Sequence, residues 1–178
     1  DDPAVVGEVA AQVIDAGAVG VNLEDGDRDP AVLCAKIEAV RGAAARAGVA
    51  LYVNARTDVY LRGLVPAERA VEESIERGRR YQAAGCDGLF VPKVAESTAI
   101  RAIAAATPLP LNVLVVPGLA PIAELQRLGV RRVSAGSAIS QAAYGVARRA
   151  AAQFLDEGRY DAMSDRLADY GELNRLFA

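Results

Sequence analysis

The side chains of this chain that could carry out chemistry do not include imidazole, because the sequence contains no histidine. That excludes Ser-His-Asp and Cys-His nucleophiles, histidine-ligated zinc and acid–base catalysis by imidazole. Catalysis would have to use Asp, Glu, Lys, Arg, Tyr, Ser, backbone groups or a hard metal ion held by oxygen. The two cysteines, Cys34 and Cys86, are predicted to be ordinary half-buried thiols rather than a disulfide.

Two acids, Glu24 and Asp25, directly follow the mostly apolar stretch 19–23, which is typical of a buried strand. Adjacent residues of a strand point to opposite sides, so one acid would face the axis of a barrel and the other the loop. Mg²⁺ prefers oxygen ligands and keeps much of its hydration, so either acid could hold it directly or through water. The alternative is an acid pair that caps the next helix.

An arginine, Arg56, lies in the stretch Asn54-Ala55-Arg56-Thr57-Asp58 at the end of the second apolar run. Its planar guanidinium group can bind two oxygens of a carboxylate or phosphate at once. Asp58 could hold Arg56 in place for that purpose. The alternative is a structural Arg–Asp pair without a ligand.

Two other polar residues stand at or inside apolar runs. Lys93 follows Val91-Pro92, where a lysine could form a Schiff base or simply be a solvated loop residue. Asn112 interrupts a run of Leu and Val, and a buried amide needs partners. Asn112 therefore contacts either a ligand or the neighbouring strands.

The stretch Ser134-Ala135-Gly136-Ser137 joins the last predicted strand to a helix. Free N–H groups at a helix N-terminus favour anions, and the last strands of barrels often hold phosphate in this way. Ser134 and Gly136 are therefore candidates for anion binding, although an ordinary strand-to-helix turn has the same sequence pattern.

The elements that must position these residues are a helix followed by five strand–helix units. The predicted strands are 18–23, 49–54, 87–91, 111–116 and 130–134. The predicted helices are 1–17, 29–48, 66–84, 96–106, 119–127, 137–155 and 162–177, with a loop through Arg62-Gly63. Short, continuously apolar strands are expected where helices cover both faces of a parallel sheet.

Every predicted strand ends in a polar or glycine tip, which favours a TIM-type (β/α)₈ barrel over a doubly wound sheet. A barrel of eight strands usually needs about 250 residues, whereas this chain has 178. We therefore predict one barrel domain over 1–178 that has five βα units and a C-terminal helix, with about three N-terminal units missing. The alternative is a genuine five-stranded open sheet.

The composition of the chain indicates which binding partners and which cellular compartment to expect. The net charge is −3, with 5% aromatic residues and no basic block, so nucleic acid is not expected as a partner. No stretch has the roughly 18 uninterrupted apolar residues of a membrane span, and no signal peptide is visible. The predicted location is the cytoplasm.

Taken together, the strand ends resemble the isocitrate lyase/phosphoenolpyruvate mutase superfamily. The acid motif Asn22-Leu23-Glu24-Asp25 and the Ala-Arg-Thr-Asp motif at 55–58 are moderately specific alone and strong together. The matching stretches come in the family's order and cover nearly the whole chain: 16–25, 54–58, 85–92, 111–113 and 128–136.

This resemblance implies a Mg²⁺-dependent enzyme that acts on a small 2-oxo acid or dicarboxylate, or its enolate, by C–C or P–C bond chemistry. Glu24 would bind Mg²⁺ through water, with Asp25 a weaker candidate, and the main metal-binding aspartates would precede residue 1. Arg56 would be the catalytic residue that grips the substrate. Asn112, Ser134 and Gly136 would be further substrate-binding residues.

The resemblance also implies a homo-oligomer, with a tetramer expected, because the family's barrels exchange their last helix with a neighbouring subunit. Helix 162–177 would then pack on that subunit.

Two departures narrow the expected chemistry. The short turn 26–30 has neither the cysteine nor the histidine of the family's Lys-Lys-Cys-Gly-His loop, and Pro92 stands where many members have Glu or His. Ordinary isocitrate or methylisocitrate lyase activity is therefore not expected. A C–C lyase of another kind comes first, and a phosphonomutase or hydrolase second. The alternatives are a class I aldolase that uses Lys93 and a non-catalytic homologue that binds 2-oxo acids.

Overall fold

A computed structural model describes residues 2–164 and 168–177 of the chain. Its centre is one sheet of five parallel strands in the order β1-β2-β3-β4-β5, so each strand pairs with its sequence neighbour. The strands are β1 Gly20–Glu24, β2 Tyr52–Arg56, β3 Gly88–Val91, β4 Leu111–Leu114 and β5 Val130–Ser134. A doubly wound sheet reverses its strand order at a switch point, and this order does not reverse.

One helix precedes β1, and helices follow each strand. They are α1 Pro3–Asp15, α2 Pro30–Ala47, α3 Val59–Arg62, α4 Ala70–Ala83, α5 Ser97–Ala106, α6 Ile122–Arg127, α7 Ala138–Glu157 and α8 Tyr170–Arg175, with 3₁₀ turns at Ala67–Arg69 and Asp161–Met163. Asp2 and Asp29 cap α1 and α2, because each carboxylate accepts a hydrogen bond from the N–H two residues on and a proline follows each acid. Gly48 ends α2 in the left-handed conformation.

The structure differs from the predicted elements at several ends. The predicted strand 130–134 has the observed bounds, but β1 and β2 begin later than predicted and include their polar tips, because Glu24 pairs with Arg56 in the ladder. Residues 59–62, predicted as a loop, form the short helix α3, which Gly63 ends. Inside the predicted helix 162–177, Asp169 caps the start of α8, and residues 165–167 lie outside the described residues.

One face of the sheet packs on the helices and forms the hydrophobic core. Alternate residues of the strands, such as Val53, Leu89 and Val113, meet apolar helix residues that include Ile37 and Ile100, and all five are fully buried. Burying one such side chain stabilises the fold by about 1.5–3 kcal/mol. The opposite face of the sheet, which we call the inner face, carries polar side chains.

The chain divides into two compact units, 1–134 and 135–178. The first contains the whole sheet and helices α1 to α6. The second contains α7 and α8, and the Gln153 side chain links α7 to the turn after it by accepting a hydrogen bond from the Ala162 N–H at 2.8 Å. Within the described ranges no helix has the length and apolar character needed to cross a bilayer. The single barrel domain predicted for 1–178 stays a prediction.

Candidate functional site

A row of side chains crosses the inner face near the carboxyl ends of the strands. The ladder pairs Glu24 with Arg56, Arg56 with Phe90, Phe90 with Asn112, and Asn112 with Arg132. The fold thus brings three predicted site residues, Glu24, Arg56 and Asn112, into one row. Parallel strands put their carboxyl ends at the same edge of the sheet, which is why tips from distant parts of the sequence meet there.

Arg56 is the best-anchored member of this row. Its Nη1 lies 2.7 Å from Glu24 Oε2, and its Nε lies 2.7 Å from Asp58 Oδ1. A second contact of 3.2 Å joins Nη2 to Asp58 Oδ2, and the guanidinium carbon lies 6.0 Å from the centre of the Phe90 ring. The side chain is 25% exposed. Arg56 is therefore held in one orientation, and a carboxylate or phosphate could bind its fork by displacing Glu24 from Nη1.

Glu24 faces the same side as Arg56, and its side chain is 52% exposed. It can offer one carboxylate to a hydrated Mg²⁺. A complete site needs more oxygen donors, and the described part of the chain holds no group of three or more acidic, histidine or cysteine side chains placed for a metal. The residues present therefore do not fit a full magnesium site by themselves.

Asp25 points to the opposite side of β1 and is buried. Its Oδ1 accepts a hydrogen bond from the Asp58 N–H at 2.8 Å. Its Oδ2 accepts from Arg77 Nη1 at 2.9 Å and from the Tyr81 hydroxyl at 2.6 Å. This carboxylate is fully used by the protein, so its placement argues for a structural role rather than the weaker metal-binding role predicted for it.

Asp25 and the burial around it shift the pKa values of Tyr81 and Arg77. Burial and then the hydrogen bond to Asp25 raise the pKa of Tyr81. Burial alone would lower the pKa of Arg77, but the hydrogen bonds to Glu73 and Asp25 outweigh it and raise that pKa. Both partners therefore keep their protons throughout the ordinary pH range.

A ladder of side chains, which we call the amide ladder, links Asn22, Asn54, Asn112 and Ser134. Asn54 Nδ2 donates to Asn22 Oδ1 at 2.9 Å and to Asn112 Oδ1 at 3.1 Å. The Ser134 hydroxyl lies 3.1 Å from Asn112 Nδ2 and 3.2 Å from Asn112 Oδ1. The fold thus brings the predicted residues Asn112 and Ser134 together, and Asn112 does bond internally.

Two residues of the inner face, Asn54 and Arg132, were not predicted as site residues. Asn54 stands in the Arg56 motif but was not singled out. Arg132 reaches the inner face because a β-bulge shifts the β4–β5 register between Leu111 and Asn112. It makes no ion pair within 2–164 and 168–177, and it borders a cavity of about 400 Å³ lined by Val19, Gly20, Val21, Asn22, Tyr52 and Arg132. Residues two apart on a strand face the same side, so the prediction for Ser134 could have identified Arg132 as well.

The remaining predicted residues lie elsewhere. Lys93 is exposed in the turn after β3, with a left-handed φ of 71°, and it has no hydrogen bond or ion pair to any described residue. A Schiff-base lysine is usually desolvated, and this position is not. Gly136 belongs to the unit 135–178, where its left-handed φ of 56° precedes α7. Substrate binding by Gly136 stays a prediction.

Comparison with known proteins gives the following matches. The family profile described as phosphoenolpyruvate phosphomutase matches residues 1–155. An uncharacterized protein of Mycobacterium tuberculosis is 34% identical in an alignment 180 residues long that covers 96% of this chain and 66% of that protein.

Solved structures match along most of the chain. A Burkholderia cenocepacia protein provisionally named a phosphonomutase is 41% identical over 86% of this chain and 64% of that one, with a TM-score of 0.79. A second protein of that organism, provisionally named a lyase/mutase, is 32% identical over 100% of this chain and 66% of that one, with a TM-score of 0.89.

Phosphonopyruvate hydrolase, solved with oxalate and Mg²⁺, is 25% identical over 99% of this chain and 64% of that one, with a TM-score of 0.77. The chain thus spans just under two thirds of the length of these relatives, 64–66%.

Proposed function

The chain belongs to the phosphoenolpyruvate phosphomutase family, and we propose that the whole protein is an enzyme acting on a small 2-oxo acid or its enolate, with Arg56 binding the substrate's carboxylate. The family membership confirms the resemblance found in the sequence. The fold prediction is confirmed as well: five parallel strands in sequential order form part of the α/β barrel of this superfamily.

The observation that carries the proposal is the fixed position of Arg56. A 2-oxo acid presents a planar carboxylate next to a carbonyl oxygen. Asp58 holds Nε and Nη2 of the guanidinium fork, so Nη1 can take up that carboxylate in exchange for Glu24. Asn112 and Ser134, two strands or more away, are polar groups that could contact the rest of the substrate. Such positioning lowers the barrier by fixing the reacting geometry before the reaction begins.

Among the reactions of the family, we propose C–C bond cleavage first. The support is the short turn after β1, which lies between Asp25, used in the fold, and Asp29, the cap of α2, and which lacks the longer lysine- and asparagine-bearing loop of the family's phosphonate-processing members. Phosphonomutase or phosphonate hydrolysis is the second candidate, supported by the names of the relatives. Both reactions pass through an enolate, so Arg56 has the same role in each.

We extend the proposal to Mg²⁺ dependence of the whole protein. The support is a solved relative, phosphonopyruvate hydrolase, which is in complex with oxalate and Mg²⁺. Glu24 is the acid on the inner face that could reach a hydrated ion, while the remaining ligands would come from outside the described residues. Calorimetric titration with Mg²⁺ should show weaker binding for Glu24→Gln and unchanged binding for Asp27→Asn, an acid on the exposed turn.

The proposal is tested by titrating the whole protein with oxalate in the presence of Mg²⁺. Arg56→Ala should weaken oxalate binding about 10- to 100-fold, because a hydrogen-bonded charge contributes about 1.5–3 kcal/mol. Arg62→Ala is the matched control, since Arg62 also binds Asp58 but its side chain is 49% exposed at the rim. That variant should change the affinity less than about threefold. Equal affinity of the wild type and Arg56→Ala would refute the assignment.

Assays with a panel of 2-oxo acids and C–C lyase substrates distinguish the remaining functional hypotheses. Turnover that Arg56→Ala abolishes supports the enzyme, whereas binding without turnover favours a non-catalytic homologue. Borohydride trapping with pyruvate tests the aldolase reading, which requires a covalent adduct on Lys93.

A further inference from the structure

We propose that Asn54 is a positioning residue that holds the amide of Asn112 in place for the substrate, and that it reaches Asn112 through a gap left by Gly88. The inference rests on the proposed function, because it takes Asn112 as a residue that touches the substrate.

The Asn54 side chain reaches across a neighbouring strand. Asn54 lies on β2 and Asn112 on β4, and neighbouring strands are about 4.8 Å apart, so the two backbones are separated by a whole strand. The Asn54 side chain nevertheless donates to Asn112 Oδ1 at 3.1 Å. The contact must therefore pass over β3.

Gly88 makes that passage possible. It is the ladder partner of Asn54 on β3. A Cβ atom at position 88 would lie 2.8 Å from Asn54 Oδ1 and closer still to the Tyr52 hydroxyl. Any other residue at position 88 would therefore push Asn54 away from Asn112.

The hydrogen bonds of Asn54 run in one direction, from its amide nitrogen to its neighbours. Asn54 Nδ2 donates to oxygens on both sides, Asn22 and Asn112, so both of its hydrogens are used. The amide oxygen of Asn112 is thereby held toward β2, and its nitrogen faces β5, where it lies 3.1 Å from Ser134 Oγ. The nitrogen of Asn112 also donates to the Val113 carbonyl at 2.9 Å and the Arg132 carbonyl at 3.3 Å, and Asn54 completes this arrangement by holding the oxygen.

Burial supports a role beyond stability. Asn54 and Asn112 are each only 1% exposed. Asn54 Oδ1 is buried without a hydrogen-bond partner among the described residues, which is unfavourable for folding. An apolar side chain would avoid that cost, so the presence of an amide is explained by the two bonds that its nitrogen donates.

The experiment measures oxalate affinity of the whole protein with Mg²⁺ for Asn54→Ala, Asn112→Ala and the double variant. Asn54→Ala should weaken binding about tenfold, the loss expected for one oriented hydrogen bond. Because Asn54 acts through Asn112, the double variant should bind no more weakly than Asn112→Ala alone. Fully additive losses would overturn the inference. Ser74→Ala is the matched control, because it also removes a buried side-chain hydrogen bond, the one from Ser74 to the Ala70 carbonyl within α4, and it should change affinity less than threefold.

A crystal structure of Asn54→Ala decides the inference independently of oxalate. The Asn112 amide should turn or occupy two conformers, and an unchanged Asn112 would overturn the inference. If Asn54→Ala does not fold, Asn54→Asp serves instead, since it keeps the shape and loses both donated hydrogen bonds. Wild-type protein that fails to bind oxalate, or an Arg56→Ala variant that binds it normally, would count against the proposed function. The crystal structure would still decide whether Asn54 positions Asn112.

Discussion

Arg56 is held by three neighbours before any ligand arrives: Glu24, Asp58 and the ring of Phe90. A long, flexible side chain loses conformational entropy when it binds a ligand. The protein has already restricted this arginine, so less of that loss falls on the binding step. Preorganisation of this kind is what distinguishes a binding arginine from a surface arginine such as Arg62.

A second feature at the residue scale is the buried thiol of Cys86. Burial, reinforced by Asp87, raises the pKa of Cys86 to about 11. The folded state therefore holds this proton more tightly than the unfolded chain does. The protonated Cys86 thiol therefore stabilises the fold fully at any pH below the pKa that the thiol has in the unfolded chain. This stabilisation is lost as the pH rises through the pKa of the thiol in the folded protein.

We expect the free energy of unfolding of the wild type to fall by about 2 kcal/mol more than that of Cys86→Ala between about pH 8 and pH 11. Urea unfolding at several pH values measures this difference. Cys34→Ala is the control, because that thiol is only partly buried. If the free energies of unfolding of the wild type and Cys86→Ala changed in parallel with pH, the Cys86 thiol would not be the source of the pH dependence.

At this scale the sequence predicted the polar residues that end a strand or interrupt an apolar run. Glu24, Arg56, Asn112 and Ser134 were all found in this way, and the fold brings them to one face. Asn54 was missed because its importance depends on a glycine one strand away. That pairing is a property of the ladder register and cannot be read from local spacing.

At the scale of the elements, Asp25 is the point where three segments meet. One carboxylate binds the backbone after β2 through Asp58 and binds helix α4 through Arg77 and Tyr81. The end of β1 is thereby fixed to the segment that carries Asp58 and so to the partner of Arg56. A buried acid at the end of a strand can thus support a site without touching a ligand.

Asp25→Asn should lower the free energy of unfolding by about 3–5 kcal/mol, because it leaves the Arg77 charge buried and only partly paired. Asp25→Asn combined with Arg77→Met should lose less than the single variant, since the buried arginine charge is gone and only Glu73, whose side chain is 22% exposed, loses a partner. Denaturant unfolding measures both. If Asp25→Asn were as stable as the wild type but lost Mg²⁺ binding, Asp25 would be a metal ligand after all.

The order and type of the five strands followed from apolar runs and their glycine and proline boundaries. The bulge in β5 and the short helix α3 did not, because both depend on tertiary contacts. Helix α3 follows Asp58, which binds both Arg56 and Arg62. A sequence of four residues carries no periodic signal from which such a helix could be predicted.

At the scale of the whole molecule, the unit 135–178 presents many large apolar side chains to solvent. Ile139, Tyr144 and Leu155 are each more than 70% exposed, and helix α7 has no buried residue. Such a surface is typical of an interface. We propose that the whole protein is a homo-oligomer, with a tetramer expected, in which this surface is covered.

Sedimentation analysis of the whole protein should therefore give a tetramer. Tyr144→Glu combined with Leu155→Glu should shift it to smaller species, because charges would be buried at the interface. Arg149→Glu, which also changes charge on α7, serves as the control and should leave the assembly intact. A wild-type monomer at micromolar concentration would contradict the proposal.

The contact between Arg56 and Glu24 has one further consequence: it makes anion binding an exchange reaction. An incoming carboxylate must take the place of Glu24 on Nη1, 2.7 Å away, and Glu24 is released as the substrate settles. Glu24 then acts as a built-in competitor, so in metal-free buffer Glu24→Gln should bind oxalate severalfold more tightly than the wild type. Weaker binding by that variant would mean that the two carboxylates do not compete. Binding of the substrate's carboxylate at Arg56 would thus be coupled to the release of one oxygen of Glu24.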